Sequence, residues 1–196
     1  MKSLDDKALA LAFQAGEEAA FDEIVTRFQG RVYAVAYRVL GNREDALDVA
    51  QEVFLKVHRK IGSWQPTGGF LPWVLRMATN HSIDQLRRRK RYPEQPLDEA
   101  FTPASEGAAV EPVSMNTSTE VRAREIEDRV RKALPVLSPA QREVFLLRHY
   151  EGLQLAEIAD SMGCTVGSVK VHLFRALKKL QTELKDLYEK NDNNQP

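Results

Sequence analysis

The chain has 196 residues, with 28 Lys and Arg balancing 28 Asp and Glu, so its net charge of zero selects no partner class and its length allows one large domain or two small ones. A single cysteine, Cys164, excludes an intramolecular disulfide and any CxxC metal or redox pair. No apolar run approaches the roughly 20 residues of a membrane span, and Asp5 and Asp6 stand where an export signal needs an apolar core; a cytoplasmic protein with no membrane insertion is expected.

From Lys7 to Arg91 the apolar spacing is helical almost throughout. Phe21, Ile24, Val25 and Phe28, then Val32, Val35, Ala36, Val39 and Leu40, predict one or two helices. Gly41-Asn42 breaks this pattern, and Asn42 is placed to cap the next helix with Asp45 at its N3 position. In 46–61, Ala46, Val49, Ala50, Val53, Phe54, Val57 and Ile61 recur at the intervals of one buried helix face. A loop with Gly62, Pro66, Gly68 and Gly69 follows, then a helix from about Leu71 to Arg89. Residues 93–120 hold four prolines, six acids and no Lys or Arg, without helical periodicity, and predict a flexible acidic linker. Beyond it, Ser138-Pro139-Ala140-Gln141 is a capping box with Pro at N1, ahead of the apolar run Val144 to Leu147. Gly152 ends that helix, and two more are expected over Leu155 to Met162 and from Val166 into the 180s, the last capped by Thr165. The expected fold is all-α, with two small helical domains, 1–92 and 121–196, the second ending in a polar tail.

Charge is sorted along the chain. Residues 76–91 carry six cations against Asp84 alone, a net of +5, whereas 93–120 carry −6. Such blocks point to separate partners. In 155–180, Ala159 supplies a small residue for a helix crossing and Gly163 a turn four residues later, the layout of a helix-turn-helix. The second helix then divides: Val169, Leu173, Ala176, Leu177 and Leu180 are expected inside, while Ser168, Lys170, His172, Arg175, Lys178 and Lys179 face out with no acid among them. A basic helix of that kind suits a major groove; an ordinary hairpin with a solvated basic face is the alternative. Cys164 reads as a small buried hydrophobe at the turn.

In the first domain, Asn80, His81, Asp84 and Arg87 form a polar strip leading into the five cations 87–91, with Trp64, Phe70 and Trp73 just upstream. Aromatics beside a basic helix suit unstacked bases. Trp73 reads as core packing, and Trp64 stays open between core and base stacking. The carboxylates Glu44, Asp45, Asp48 and Glu52 admit solvated surface, a metal site or docking of a basic partner. A metal site is disfavoured, since no His or further carboxylate joins them at ligand spacing. No cofactor and no catalytic constellation is expected.

FDEIVTRFQGRVYAVAYRVLGNREDALDVAQEVFLKVHRKI with GGFLPWVLRMATNHSIDQLRRRKR resembles the sigma-2 domain of extracytoplasmic-function (ECF) RNA polymerase sigma factors, and LSPAQREVFLLRHYEGLQLAEIADSMGCTVGSVKVHLFRALKKL resembles their sigma-4 domain. The resemblance implies a non-enzymatic promoter-specificity subunit of bacterial RNA polymerase. It places Asp45, Asp48, Gln51, Glu52 and Phe54 on the clamp helices of the largest core subunit, with the flap region as a further core contact. Trp64, Asn80, Asp84, Arg87, Arg88 and Arg89 would open and read the minus-10 element through a flipped base. Val166, Ser168, Lys170, His172, Arg175 and Lys178 would read the minus-35 element. The linker would thread the core enzyme near the RNA exit path, and an anti-sigma factor is an expected partner. His172 and Val171 depart from the residues common at those family positions, so relatives do not predict the promoter sequence. The competing reading is a stand-alone helix-turn-helix regulator acting without core polymerase.

Overall fold

The structure, a computed structural model, describes residues 4–66, 68–91 and 118–185. Among these, all regular structure is helical: α1 Asp6–Gln14, α2 Glu18–Leu40, α3 Arg43–Lys60, α4 Phe70–Arg91, α5 Ser118–Ala133, α6 Pro139–His149, α7 Leu155–Met162 and α8 Val166–Glu183. Short 3₁₀ turns at Ile61–Ser63 and Leu134–Val136 follow α3 and α5. The all-α expectation holds. The predicted linker lies outside the described residues except for its last three, 118–120, which belong to α5; the helix therefore starts ahead of the predicted boundary at 121. The tail beyond 185 also lies outside them.

Local chemistry sets the helix starts. Asn42 Oδ1 accepts the Asp45 N–H at 3.1 Å at the head of α3, and Thr165 Oγ1 accepts the Ser168 N–H at 3.1 Å at the head of α8. At α6 the capping box is complete: Ser138 Oγ accepts from Gln141 N while Gln141 Oε1 accepts from Ser138 N. One or two helices were expected over 21–40, and a single 23-residue helix is found. Gly30 sits on its exposed side, where a helical glycine costs about 1 kcal/mol against alanine. That cost is outweighed by burying Ile24, Phe28, Val32, Val35 and Val39, each worth roughly 1.5–3 kcal/mol.

α1 to α4 form the first lobe, in which Phe13, Phe28, Val49, Val53, Phe70, Val74 and Leu75 are buried together. Thr79 and Ser82 lie inside α4 without orphaned hydroxyls, because each donates back to the carbonyl four residues earlier. In the second lobe α7 and α8 make the predicted helix-turn-helix, with Gly163 at φ 64° in the turn, a conformation that any side chain would strain. The two lobes share their interior. Val144, Leu147, Leu153, Ile158, Ala159 and Val169 join the apolar cluster of the first lobe, and Val39 and Ile83 join that of the second.

Candidate protein-docking and nucleic-acid faces

α3 presents one continuous outward stripe. Glu44, Leu47, Asp48, Gln51, Glu52 and Leu55 are all exposed and recur at three- and four-residue steps. Leu47 and Leu55 extend the predicted acidic set; an exposed leucine among carboxylates, out of phase with the core stripe, was the available signal. Asp45 and Phe54 are corrections. Asp45 is only 7% exposed, and its Oδ1 accepts from Arg89 Nη2 and, at 3.3 Å, from Gln85 Nε2. It ties the head of α3 to the basic end of α4 and does not face outward. Phe54 lies on the inner side of the same helix, buried in the first-lobe core.

Trp64 is also settled by burial. It is 4% exposed, its ring meets Phe70 edge-on at 5.4 Å, and its carbonyl oxygen accepts from Gln14 Nε2 at 2.9 Å. The same Gln14 nitrogen donates to the Ile61 carbonyl at 2.8 Å. The residue left open between core and stacking is thus a core strut, whereas Trp73, expected inside, is only partly buried. A close approach shapes the loop end: a Cβ on Gly69 would stand 2.9 Å from the Pro72 ring, so this position admits no side chain without movement.

Along α4, Asn80 and His81 are half-buried, and Asp84, Arg87, Arg88 and Arg89 are exposed. Asp84 pairs with Arg87 at 3.6 Å, so the two share one exposed ion pair. His81 Nδ1 is in close contact with the Lys56 ammonium of α3. Burial, and then the Lys56 charge, pull the His81 imidazole below its usual range, and burial likewise lowers Lys56. Burial thus disfavours the charged form of both groups where they meet.

On α8, Val166, Lys170, Arg175 and Lys178 are exposed as expected, while Ser168 and His172 are half-buried. The Ser168 hydroxyl lies 2.9 Å from Thr165 Oγ1, within the cap. Leu177 was expected inside but is exposed, because α8 buries Ala176 and Leu180 against its neighbours and Leu177 falls off that line. Phe174, 67% exposed, stands with Val171 and Leu177 among the cations. Among the described residues no group of three or more His, Cys, Asp and Glu could hold a metal ion, and no helix is long and apolar enough to cross a membrane.

A helical lobe with an acidic outer stripe is joined to a helix-turn-helix with a basic outer face, and sequence comparison gives the family. Residues 24–92 match the model of sigma-70 region 2, and 127–180 match that of sigma-70 region 4. The ECF RNA polymerase sigma factor SigW of Bacillus subtilis (strain 168) is 32% identical over 176 residues, covering 88% of this chain and 92% of the relative. The RNA polymerase sigma-H factor of Pseudomonas aeruginosa PAO1 is 30% identical over 184 residues, covering 93% and 95%. Among solved structures, CnrH in complex with the cytosolic domain of CnrY superposes with a TM-score of 0.64 at 26% identity, covering 92% of this chain and 97% of the other. RpoE bound to the anti-sigma factor NepR from Bartonella quintana gives 0.56 at 26% identity, covering 84% and 96%. The chain belongs to the ECF RNA polymerase sigma factors.

Proposed function

We propose that this sigma factor binds bacterial core RNA polymerase through the outer stripe of α3, reads and melts the minus-10 element with the exposed end of α4, and reads the minus-35 element with α8. The observation that carries this reading is the opposite chemistry of two outward helix faces in one chain of this family. The α3 stripe, with Asp48, Glu52, Gln51, Leu47 and Leu55, repels phosphate and suits a protein surface. The α8 face, with Lys170, Arg175 and Lys178 and no acid from Val166 to Lys179, suits duplex DNA.

On α4, exposed Arg87 and Arg88 would follow phosphates, Arg87 by exchanging its ion pair with Asp84, and Asn80, Trp73 and the loop before the helix would meet an extruded base. Extrusion costs a few kcal/mol, which a pocket for the flipped base offsets. Trp64 and Asp45 support this surface from beneath and make no contact in the proposal. An anti-sigma factor is a proposed partner, supported by the structural neighbour RpoE, solved with the anti-sigma factor NepR.

The test is in vitro transcription with core polymerase on a pooled promoter library. Transcripts sharing one upstream and one downstream element, dependent on both core and this protein, are expected. Tight sequence-specific DNA binding by the free protein, as a dimer on a palindrome, would instead favour the stand-alone regulator.

A further inference from the structure

Resting on that reading, we infer that Gln14, the last residue of α1, is a positioning residue for minus-10 opening: it holds the loop before α4 in the shape that receives an extruded base. Its side-chain amide reaches across to the far end of α3. Nε2 donates to the Ile61 carbonyl at 2.8 Å and to the Trp64 carbonyl at 2.9 Å. An amide nitrogen carries two hydrogens and the amide oxygen none, so two neighbouring carbonyls also fix which way the group is turned. These carbonyls bracket the 3₁₀ turn Ile61–Ser63, and the Ile61 oxygen closes that turn by accepting the Trp64 N–H at 3.0 Å. The turn is where the chain leaves α3 and enters the loop, so pinning both its ends sets the direction in which the loop departs.

From there, ring contacts lead to the surface proposed to meet the base. The Trp64 ring lies edge-on to Phe70 at 5.4 Å, and Phe70 lies 5.8 Å from the half-buried Trp73. Among the described residues the buried Trp64 Nε1 has no hydrogen-bond partner, so hydrogen bonds fix Trp64 through its backbone. Gln14 supplies such a bond from outside the turn.

α1 is anchored to deliver it. Leu9, Ala10 and Phe13 are buried on the inner side of that helix, and Gly16, at φ 97°, turns the chain away just beyond. Gln14 itself is half-buried, at the border of core and solvent. It lies outside residues 24–92, the segment matched to region 2.

Pinning the loop beforehand bears on one step. Extruding a base costs free energy, which binding at the receiving surface offsets. A loop ordered only at the moment of capture loses part of that binding to its own ordering, whereas a loop already held keeps it. Attachment of α3 to core polymerase and of α8 to the upstream element does not pass through the loop.

The test is the rate of initial transcript synthesis by the full-length protein with core polymerase on a promoter recovered from the library. Two templates are compared, one fully paired and one mismatched across the minus-10 element. Gln14→Met keeps the side-chain length and removes both donors. It should slow initiation on the paired template about tenfold or more, the scale of two lost neutral hydrogen bonds, yet initiate near the parent rate where the element is already unpaired. Retention on core enzyme and helicity by circular dichroism should match the parent. Should Gln14→Met lose helicity, Gln14→Ala, which admits water to the two carbonyls, is read instead and should show the same split between templates. A folded variant that initiates like the parent on paired DNA would overturn the inference, as would one equally slow on both templates, which would leave Gln14 a stabilising contact only. A parent without core-dependent initiation on the paired template would overturn the functional reading, and the inference with it.

Discussion

The outer stripe of α3 and the outer face of α8 are built alike and charged oppositely. Each is an exposed helix side with charged residues interleaved by apolar ones, Leu47 and Leu55 on α3, Val171, Phe174 and Leu177 on α8. The acidic stripe repels a phosphate backbone and the basic face attracts it, and this difference in sign is the ground for proposing one for protein and the other for DNA. A third region completes the comparison. Where Asp45 of α3 meets Arg89 of α4, a buried carboxylate accepts from a guanidinium of its own chain, so this acid does not face a partner. Charge in a sequence identifies an interface only after such internal pairs are removed.

The sharpest way to break the comparison is to give α3 the charge of α8. Asp48→Lys with Glu52→Lys is expected to abolish core-dependent transcription and retention on immobilised core enzyme. Both side chains are exposed, so unfolding free energy should stay within about 0.5 kcal/mol of the parent. A variant that still binds core normally would remove the docking role from α3.

On α8 a graded loss is expected. Lys170→Ala and Arg175→Ala should each weaken promoter binding, measured by fluorescence anisotropy across a salt series. Truncating a side chain that only neutralises phosphate should lower the slope of log affinity against log salt by about 1 and leave the preferred sequence unchanged. Truncating one that reads a base edge should instead change the selected upstream sequence and cost about 1–3 kcal/mol at that position.

The internal pair should respond in stability. Arg89→Ala leaves Asp45 buried without its cation, and a loss of about 1–2 kcal/mol by urea unfolding is expected, while Arg88→Ala, an exposed neighbour, should cost under about 0.5 kcal/mol. Equal small losses for both would mean that Asp45 finds water instead.

The smallest expected effect is pH-dependent. The His81 pKa is lowered in the folded protein, chiefly by burial and then by Lys56, and that of His149 by burial and then Arg148. Groups with a depressed folded pKa contribute stability that is present above the unfolded value near 6.5 and is lost as pH falls through the folded one. The thermal midpoint should therefore drop between pH 7.5 and 5.5, and His81→Gln should shrink that drop.

Much of the fold was legible because its signals are local. Asn42, Ser138 and Thr165 cap their helices with bonds to residues three positions on, a spacing visible in the sequence. The helix-turn-helix was legible for the same reason. What could not be read depends on partners far along the chain. Asp45 is buried by Gln85 and Arg89, 40 and 44 residues away, and Trp64 is held by Gln14, 50 residues before it. The grip of Arg31 on Glu151 spans 120 residues and has no sequence signature. Periodicity marked Phe54 as core, and the family pattern marked it as a contact; in the fold the periodicity was the better guide.

The family match to the first lobe begins at residue 24, yet Gln14 of α1 holds the carbonyls of Ile61 and Trp64. Leu9, Ala10 and Phe13 of the same helix fill the core beside them. For anyone preparing the first lobe as a fragment, the matched boundary is the wrong place to cut. A piece trimmed there would still contain every residue of the docking stripe and the basic helix, but the loop before that helix would lose its anchor.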